Sequence, residues 1–228
     1  MSLEFLIRIL PEFVTPLWIT LSLWLLSLVI GMILAVPIAI AASAGGLVAR
    51  GLAVIFVTCI RGTPLLVQFY IIYYGIGTLL AQIRWIRKSA IWPILQEAYW
   101  YALLALVISC AAYSAEILRG GIRAVPKGEV EAARSLGLHR IHVWRLIVLP
   151  RAVRIALPAL GGEAVILLKS TVLASTITVM DLLGMANYIR AQTFRDYEPL
   201  LVVTVVYVVL TFLLSRLIAR IERQKAPA

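Results

Sequence analysis

The sequence predicts an all-α, polytopic membrane protein with five transmembrane helices. Hydrophobic residues make up 62% of its 228 positions, and the mean hydropathy is +0.99. Soluble domains contain about 45–50% apolar residues. Charge-free stretches such as residues 13–49 exceed the roughly 20 apolar residues that a helix needs to cross a bilayer. They are also too long and too uniformly apolar to be the alternating strands of a membrane barrel.

The first two spans are separated by a short turn. A mixed stretch at 1–13 precedes the first span, at about 17–42, and is expected to lie at the membrane surface or to lead into the helix. Gly45 and Gly46 end this span, since paired glycines favour turns. The second span, at about 52–80, is interrupted by the Arg-Gly-Thr-Pro sequence at 61–64, where Gly and Pro disfavour a continuous helix.

Three further spans are expected at about 98–118, 151–180 and 199–220. Polar stretches separate them: 81–97 is rich in Trp, Arg and Lys and suits a membrane interface, 119–150 is strongly basic, and 181–198 forms a polar excursion. No internal repeat is visible. We expect one transmembrane domain over residues 1–228.

The distribution of positive charge predicts the orientation of the chain. Its net charge of +10 does not indicate a nucleic-acid partner, because Lys and Arg lie beside apolar spans and no nucleic-acid-binding motif accompanies them. Lys and Arg are in excess in the 119–154 region and the C-terminal tail, which five spans place on the same side. The positive-inside rule therefore predicts a periplasmic N-terminus and a cytoplasmic C-terminus.

A short helix is predicted within the basic region. Pro126 suits the first turn of a helix, Glu129 and Glu131 favour its positive end, and Gly137 suits a left-handed stop. The result is a helix of about ten residues, about 15 Å long. Such a helix is marginal alone in water, so we expect it to dock on a partner, with Ala132 and Ala133 allowing close approach.

A second amphipathic stretch is expected from Leu138 to Leu149, ending at Pro150 where the chain re-enters the membrane. The alternative for the whole 119–150 region is a basic loop that only enforces topology. His139 and His142 lie three residues apart here. This spacing permits a metal pair, but a basic loop favours a solvated face or a contact with a partner.

Ionisable residues within the spans are candidate functional residues, because each costs about 2.5–3.5 kcal/mol at the bilayer centre on insertion scales. Glu163 follows Gly161 and Gly162, which leave room beside the backbone. It either receives the cationic end of a solute or is neutralised by a basic residue from another helix. Lys169 lies about 120° further round the helix and cannot pair with Glu163 along one face. We expect Lys169 to fix helix packing or a gate.

The break in the second span is the other candidate. Arg61 lies about ten residues into that span and is expected near the middle of the membrane. Gly62 and Pro64 should leave free backbone groups suited to a ligand or a gate. Arg61 faces either a solute carboxylate or an acidic neighbour such as Glu163. Glu116, three residues before Arg119, is expected to form a structural pair at the cytoplasmic edge.

No catalytic or metal site is predicted. Residues 162–170 superficially resemble a phosphate-binding loop, but Glu163 and Leu168 stand where its two glycines are required. No metalloprotease or nucleophile-elbow motif is present. Cys59 and Cys110 lie in apolar runs without metal-ligand spacing and are expected to be buried. The chain is therefore not expected to be an enzyme.

Several motifs together resemble a known family. They are RGTPLLVQ at 61–68, AYSAEI at 112–117, GGIRAVPKG at 120–128, EAARSLG at 131–137 with its later Ile-x-Leu-Pro at 147–150, and EAVILLKST at 163–171. These stretches resemble the permease subunits of polar amino-acid ABC importers, especially the M-type subunits of histidine, octopine and nopaline systems. The resemblance covers nearly the whole chain from about residue 15.

The resemblance implies the type I ABC importer permease fold in the bacterial cytoplasmic (inner) membrane. It implies four kinds of partner: a second homologous permease in a heterodimer, an ATPase homodimer that binds ATP and Mg²⁺, a periplasmic solute-binding protein, and an amino-acid solute. No cofactor is expected in this chain itself. The solute would be a basic amino acid or an opine of the histidine, arginine, lysine and octopine class.

The resemblance also assigns roles to residues. The ATPase contacts would be Glu131, Ala132, Ala133, Arg134, Gly137 and Leu138. The solute site would include Glu163, Gly162, Arg61 and Thr63, with Glu116, Lys169 and Pro64 structural or gating. Many relatives carry Asn where this chain has Gly162, which alters the pocket. The alternatives are an ATPase-independent channel or secondary transporter, and a membrane scaffold for a signalling ATPase.

Overall fold

The structure, a computed structural model, describes the backbone of residues 3–225 and the side chains of residues 4–222. Across this part of the chain the secondary structure is helical, without strands. The helices are α1 (Leu3–Ile9), α2 (Val14–Ala44), α3 (Leu47–Gly62), α4 (Leu65–Tyr70), α5 (Gly77–Gln82), α6 (Arg84–Arg87), α7 (Trp92–Leu95), α8 (Ala98–Arg123), α9 (Lys127–Ser135), α10 (Arg140–Val143), α11 (Leu149–Ser170), α12 (Leu182–Thr193) and α13 (Tyr197–Lys225). Helical turns of other types join several of them: 3₁₀ turns at Leu10–Phe13 and Thr171–Ile177, and π turns at Ile71–Ile76 and Trp144–Val148.

Five helical segments in residues 3–225 are long and apolar enough to cross a membrane, which confirms the predicted five-span, all-α architecture. They are Glu4–Ala44, Leu65–Gln82, Ala98–Arg123, Arg140–Ile177 and Tyr197–Glu222. The second begins only after the Arg-Gly-Thr-Pro break, so α3 with Arg61 lies before it and not, as was expected, in the middle of the span. The first begins with α1, whose end packs through Ile9 and Phe13 against α12 and α13. The mixed N-terminal stretch is therefore part of the helical bundle from Leu3 onward, and residues 1 and 2 lie outside the described part.

The fourth span begins earlier than the sequence predicted. Pro150 was expected to end an amphipathic stretch, but the helix runs on through it, from Arg140 to Ile177. A proline ring inside a helix clashes with the carbonyl four residues earlier. Here that carbonyl belongs to Leu146, which lies in the wider π turn at Trp144–Val148, and this turn relieves the clash.

The excursion at 181–198 contains a helix, α12, that the sequence analysis did not predict. Asp181 caps its start, since its Oδ1 accepts a hydrogen bond from the Gly184 N–H at 2.8 Å. Phe194 ends it in the left-handed region, with φ of 54°. An aromatic residue rarely adopts this conformation, so no stop was evident in the sequence.

Close packing of α2 against α8 forms the centre of the bundle. Leu23 and Leu106 are fully buried here, together with Cys110. Gly31 of α2 faces Cys110 so closely that a Cβ on this glycine would lie 2.6 Å from the Cys110 Cβ. Cys110 is thus buried as expected, but Cys59 is exposed, because α3 buries only Ala53 and Val57 among its side chains.

Asp181 belongs to a buried polar cluster between α2, α12 and α13. The Leu182 N–H donates to Thr20 Oγ1 at 3.3 Å, and the Thr171 and Tyr207 hydroxyls lie 3.1 Å apart. Burial raises the pKa of Asp181 to about 7, against the opposing effect of the backbone N–H groups that it accepts from. Its second oxygen, Oδ2, has no hydrogen-bond partner.

Replacing Gly31 with Ala should destabilise the fold by about 1–3 kcal/mol, because the added methyl group overlaps Cys110 and the helices must separate. Thermal unfolding of the detergent-solubilised protein measures this. Gly51→Ala is the matched control, since no atom lies within 4 Å of a Cβ there and the helix gains up to about 1 kcal/mol of propensity. Equal melting temperatures for the two variants would contradict the close approach of α2 and α8.

Asp181 should make the folded chain less stable as pH rises. Its pKa is about 7 in the folded chain against an ordinary value of 3.8. The protonated Asp181 therefore adds its full share to the free energy of unfolding below about pH 4, and this share is lost as pH rises through about 7. The free energy of unfolding should fall by an amount on the order of 1 kcal/mol between about pH 6 and pH 8. Asp181→Asn keeps an acceptor for Gly184 and should flatten this slope in thermal unfolding. Asp196→Asn, at an exposed carboxylate, should leave it unchanged.

Candidate functional site

The predicted docking helix exists as α9, with a defined stop. Pro126 precedes its nine residues, and Gly137 follows in the left-handed region with φ of 79°. The Gly137 N–H donates to the Arg134 carbonyl at 2.9 Å, and the Leu138 N–H donates to the Ala133 carbonyl at 3.2 Å. This pair of bonds is the Schellman arrangement, which satisfies the last carbonyls of the helix. Gly137 thus turns the chain sharply at the end of α9.

The two faces of α9 have different roles. Ala133 is only 4% exposed and packs with Val143, Val148 and Ala152 of the same chain, and Leu138 lies partly buried beside them. The small side chain of Ala133 thus serves packing within this chain. The exposed positions are Glu131, Ala132, Arg134, Ser135, Leu136 and Gly137. Of the six predicted partner contacts, four therefore face outward and two face the body of the chain.

Two apolar side chains on this segment were not singled out by the sequence analysis. Leu136 is 83% exposed and Ile141 is 68% exposed, although both lie in a polar region. Leu136 follows Ala133 by three residues and would share its buried face if α9 continued. In the structure Leu136 follows the last residue of α9 and lies outside the buried cluster around Ala133, a placement that the residue pattern does not show.

Two polar contacts attach this segment to neighbouring helices. Glu129 in the first turn of α9 forms an ion pair with Arg151 of α11, with Oε1 and Nη2 3.2 Å apart. The Arg140 guanidinium donates to the carbonyl of Ala44 at the end of α2, at 3.4 Å. His139 caps α10, its Nδ1 accepting from the Ile141 N–H at 3.5 Å. No three His, Cys, Asp or Glu side chains in the described residues are grouped to hold a metal ion.

Arg61 belongs to a charged cluster between α3 and α8. Its Nη1 lies 3.8 Å from Glu116 Oε1, and its guanidinium lies over the Tyr113 ring, 5.3 Å from the centroid. Arg119 grips the same carboxylate with two nitrogens, its Nε lying 2.7 Å from Oε2. Of the two alternatives for Arg61, the structure shows an acidic neighbour, and that neighbour is Glu116. With Arg123, the cluster lines a cavity of about 450 Å³ that carries net positive charge.

The helix break at Gly62 and Pro64 is closed by a side chain. Thr63 donates to the Cys59 carbonyl at 3.0 Å. The buried amide of Gln68 donates to the carbonyl of Ile60 at 2.8 Å and to Thr63 Oγ1 at 2.9 Å. The expectation that the break leaves its carbonyls free is therefore wrong for Ile60. In the sequence Gln68 stands out only as part of a motif. Its role depends on the conformation of the break, which brings its amide to the carbonyl of Ile60, eight residues earlier.

Glu163 is buried in the fourth span without a counter-ion from its own chain. It is 8% exposed, and it forms no hydrogen bond or ion pair with any side chain in residues 4–222. Arg61 is the charged group whose field reaches it. Trp24 donates its indole N–H to the neighbouring Ala164 carbonyl at 2.9 Å and fixes the helix at this level. No basic side chain of residues 4–222 contacts Glu163 directly, and Arg61 of α3 acts on it only through its more distant charge.

The helix around Glu163 presents an open face beside it. A Cβ on Gly161 would collide with Ile218 of α13, whereas a Cβ on Gly162 would have no atom within 4 Å. Lys169 lies two turns beyond Gly162 on this exposed face and forms no ion pair with the residues that the structure describes. Glu163 and Lys169 therefore lie on different faces, as the spacing indicated.

Comparison with known proteins places these features in context. Residues 27–226 match the family described as "Binding-protein-dependent transport system inner membrane component". The nopaline transport system permease protein of Agrobacterium fabrum is 39% identical, over 97% of this chain and 91% of its own length. The histidine/lysine/arginine/ornithine transport system permease protein of Escherichia coli is 37% identical, over 96% of this chain and 95% of its own.

Another relative matches over a shorter range. The octopine transport system permease protein of Rhizobium meliloti is 47% identical over 73% of this chain, and the match spans 66% of that protein, just under two thirds. Among solved structures, one titled as the crystal structure of an amino acid ABC transporter with histidines superposes with a TM-score of 0.85 and 33% identity, covering 98% of this chain and 99% of that one. An inward-facing methionine ABC transporter chain shares the fold, with a TM-score of 0.78 at 18% identity.

Proposed function

The chain belongs to the binding-protein-dependent transport inner membrane component family, and from this we propose that it is the translocation subunit of an ATP-driven importer for cationic amino acids or opines. It is a multi-pass permease of the bacterial inner membrane, not a catalytic subunit. The observation that carries the proposal is the two-faced helix α9. Its inner face is packed on its own chain, and its outer face presents Glu131, Ala132, Arg134 and Leu136 to a partner.

The partner of α9 is an ATPase homodimer, which binds ATP and Mg²⁺. The excess of Lys and Arg around α9 and in the C-terminal tail supports a cytoplasmic location for both, with the N-terminus in the periplasm. A second, homologous permease completes the pathway, and the M-type resemblance favours a heterodimer. A periplasmic binding protein delivers the solute. The exposed apolar side chains of α2 and α13, among them Leu26, Ile33 and Phe212, suit contact with lipid.

Glu163 is the residue that recognises the cationic end of the solute. A buried carboxylate is costly unless a positive charge pairs with it, and this chain supplies no direct partner among its described residues. The open space at Gly162 gives a ligand access to the helix at this level. The names of the relatives support a cationic cargo, since histidine, lysine, arginine and ornithine all carry basic side chains.

Transport follows from coupling α9 to this site. ATP binding closes the ATPase dimer and moves the two coupling segments that it holds. Each α9 moves as a rigid body with the helix at Arg140–Ile177, because the two share a buried cluster. Access to Glu163 then alternates between the two sides of the membrane, as a domain rotation between two packed states.

Glu163→Gln should lower uptake of cationic solutes about tenfold or more and spare neutral ones, because a charge-assisted contact is worth about 1.5–3 kcal/mol. Uptake is measured in proteoliposomes holding the complete importer. Glu12→Gln, at an exposed carboxylate, is the control for charge removal. Equal losses for cationic and neutral solutes would assign Glu163 a structural role.

Gly137→Trp should abolish uptake while the chain still inserts in the membrane. Gly137 is exposed and a Cβ there has no atom within 4 Å, so the bulk of Trp would obstruct a docked partner, and the positive φ adds about 1–2 kcal/mol of strain. Gly137→Asn tolerates the same backbone and should keep uptake. Ala133→Asp tests something else, since it buries a charge within this chain. Full uptake by Gly137→Trp at matched expression would contradict docking at this turn.

A further inference from the structure

The ion pair between Glu129 and Arg151 lies where the coupling helix meets the fourth span. Its two carriers are in the first turns of α9 and α11, and their oxygen and nitrogen are 3.2 Å apart. Both side chains are more than one third exposed, so the pair is not a buried structural core. The pair matters because it joins α9 to the first turn of the helix that carries Glu163.

Glu129 and Ala133 attach α9 to the body at two points on one face. Ala133 is buried in one cluster with Val143, Val148 and Ala152, and Ala152 is the residue after Arg151. The two α9 positions are four residues apart and therefore lie one above the other on the helix. A helix attached at Ala133 alone can swivel about that point. A second attachment at Glu129, about 6 Å along the axis, fixes its direction.

The α11 end of this attachment packs closely against α8. A Cβ on Gly121 of α8 would lie 2.6 Å from the Ala152 carbonyl oxygen, so α8 and α11 touch at the level of Arg151. Arg151 therefore extends from a closely packed part of α11. From it, the helix runs without a break to Glu163, twelve residues or about 18 Å further on.

We infer that Glu129 and Arg151 are positioning residues for coupling: their ion pair fixes the direction of α9 relative to the helix that carries Glu163. Neither residue contacts the solute, and Glu129 lies on the face of α9 that meets its own chain. Breaking the pair leaves the outer face of α9 able to bind the ATPase. Without the pair, each ATPase closure partly rotates α9 against the permease instead of moving the fourth span.

This inference rests on the proposed function and is tested in the complete importer, with both permeases, the ATPase and the binding protein in proteoliposomes. Solute uptake and ATP hydrolysis are measured together, giving solute moved per ATP. Glu129→Gln and Arg151→Gln should each lower this ratio about two- to fivefold, the effect expected for an exposed ion pair. ATPase co-purification and solute-stimulated hydrolysis should stay near the unmodified level.

The reversed pair, Glu129→Arg with Arg151→Glu, should recover most of the ratio, which a purely local structural role of either side chain would not produce. Arg154→Gln is the matched control, since Arg154 is exposed on the same helix and forms no ion pair with the described residues. An unchanged ratio in both single variants, or a reversed pair no better than either, overturns the inference. So does a parallel loss of uptake, hydrolysis and ATPase binding.

Failure of the proposed function gives a different result. In that case the unmodified assembly itself shows no ATP-dependent uptake, and no variant needs to be compared. Uptake by the unmodified importer with an unchanged ratio in the variants would leave the proposed function standing and remove only the positioning role.

Discussion

The attachment of α9 to the base of the fourth span is the contact on which the rest of this account depends. Helix α9 has nine residues, too few to be stable alone in water. It is stabilised because Ala133 is buried in a cluster with Val143, Val148 and Ala152, and because the Gly137 and Leu138 N–H groups donate to its last carbonyls. With its inner face occupied in this way, α9 becomes a fixed projection of the helix at Arg140–Ile177, and whatever grips its outer face moves that helix.

The charged side chains in and beside the spans divide into paired and unpaired groups. Arg61, Glu116 and Arg119 satisfy one another where α3 meets α8, and Gln68 closes the helix break beside them. These contacts hold the bundle without an added ligand. Glu163 is different, because it is buried without an ion pair from the described residues of its chain. In the proposed function, the cationic end of the solute supplies the positive charge that Glu163 lacks.

Much of this could be predicted from the sequence. The five spans followed from the lengths of the apolar stretches, and Gly137 as a left-handed stop followed from the position of glycine after a capped, charged segment. What failed depended on geometry that residue types do not encode. The helix continues through Pro150 because a π turn absorbs the clash, and α12 ends at Phe194, which is not a usual left-handed residue. The exposure of Leu136 near the buried Ala133 was likewise not evident from the residue types. The acidic neighbour of Arg61 could not be identified from the sequence either, since Glu116 lies on another helix.

The central claim is that an ATPase holds the outer face of α9 while the inner face stays packed on the permease. A cryo-EM map of the assembled importer at side-chain resolution tests it most directly. We expect Glu131, Ala132 and Leu136 to lie in a groove of the ATPase, with Ala133 still buried in the cluster that it shares with Ala152. A map in which α9 points away from the bound ATPase, or in which Ala133 leaves the permease to enter the groove, would contradict it.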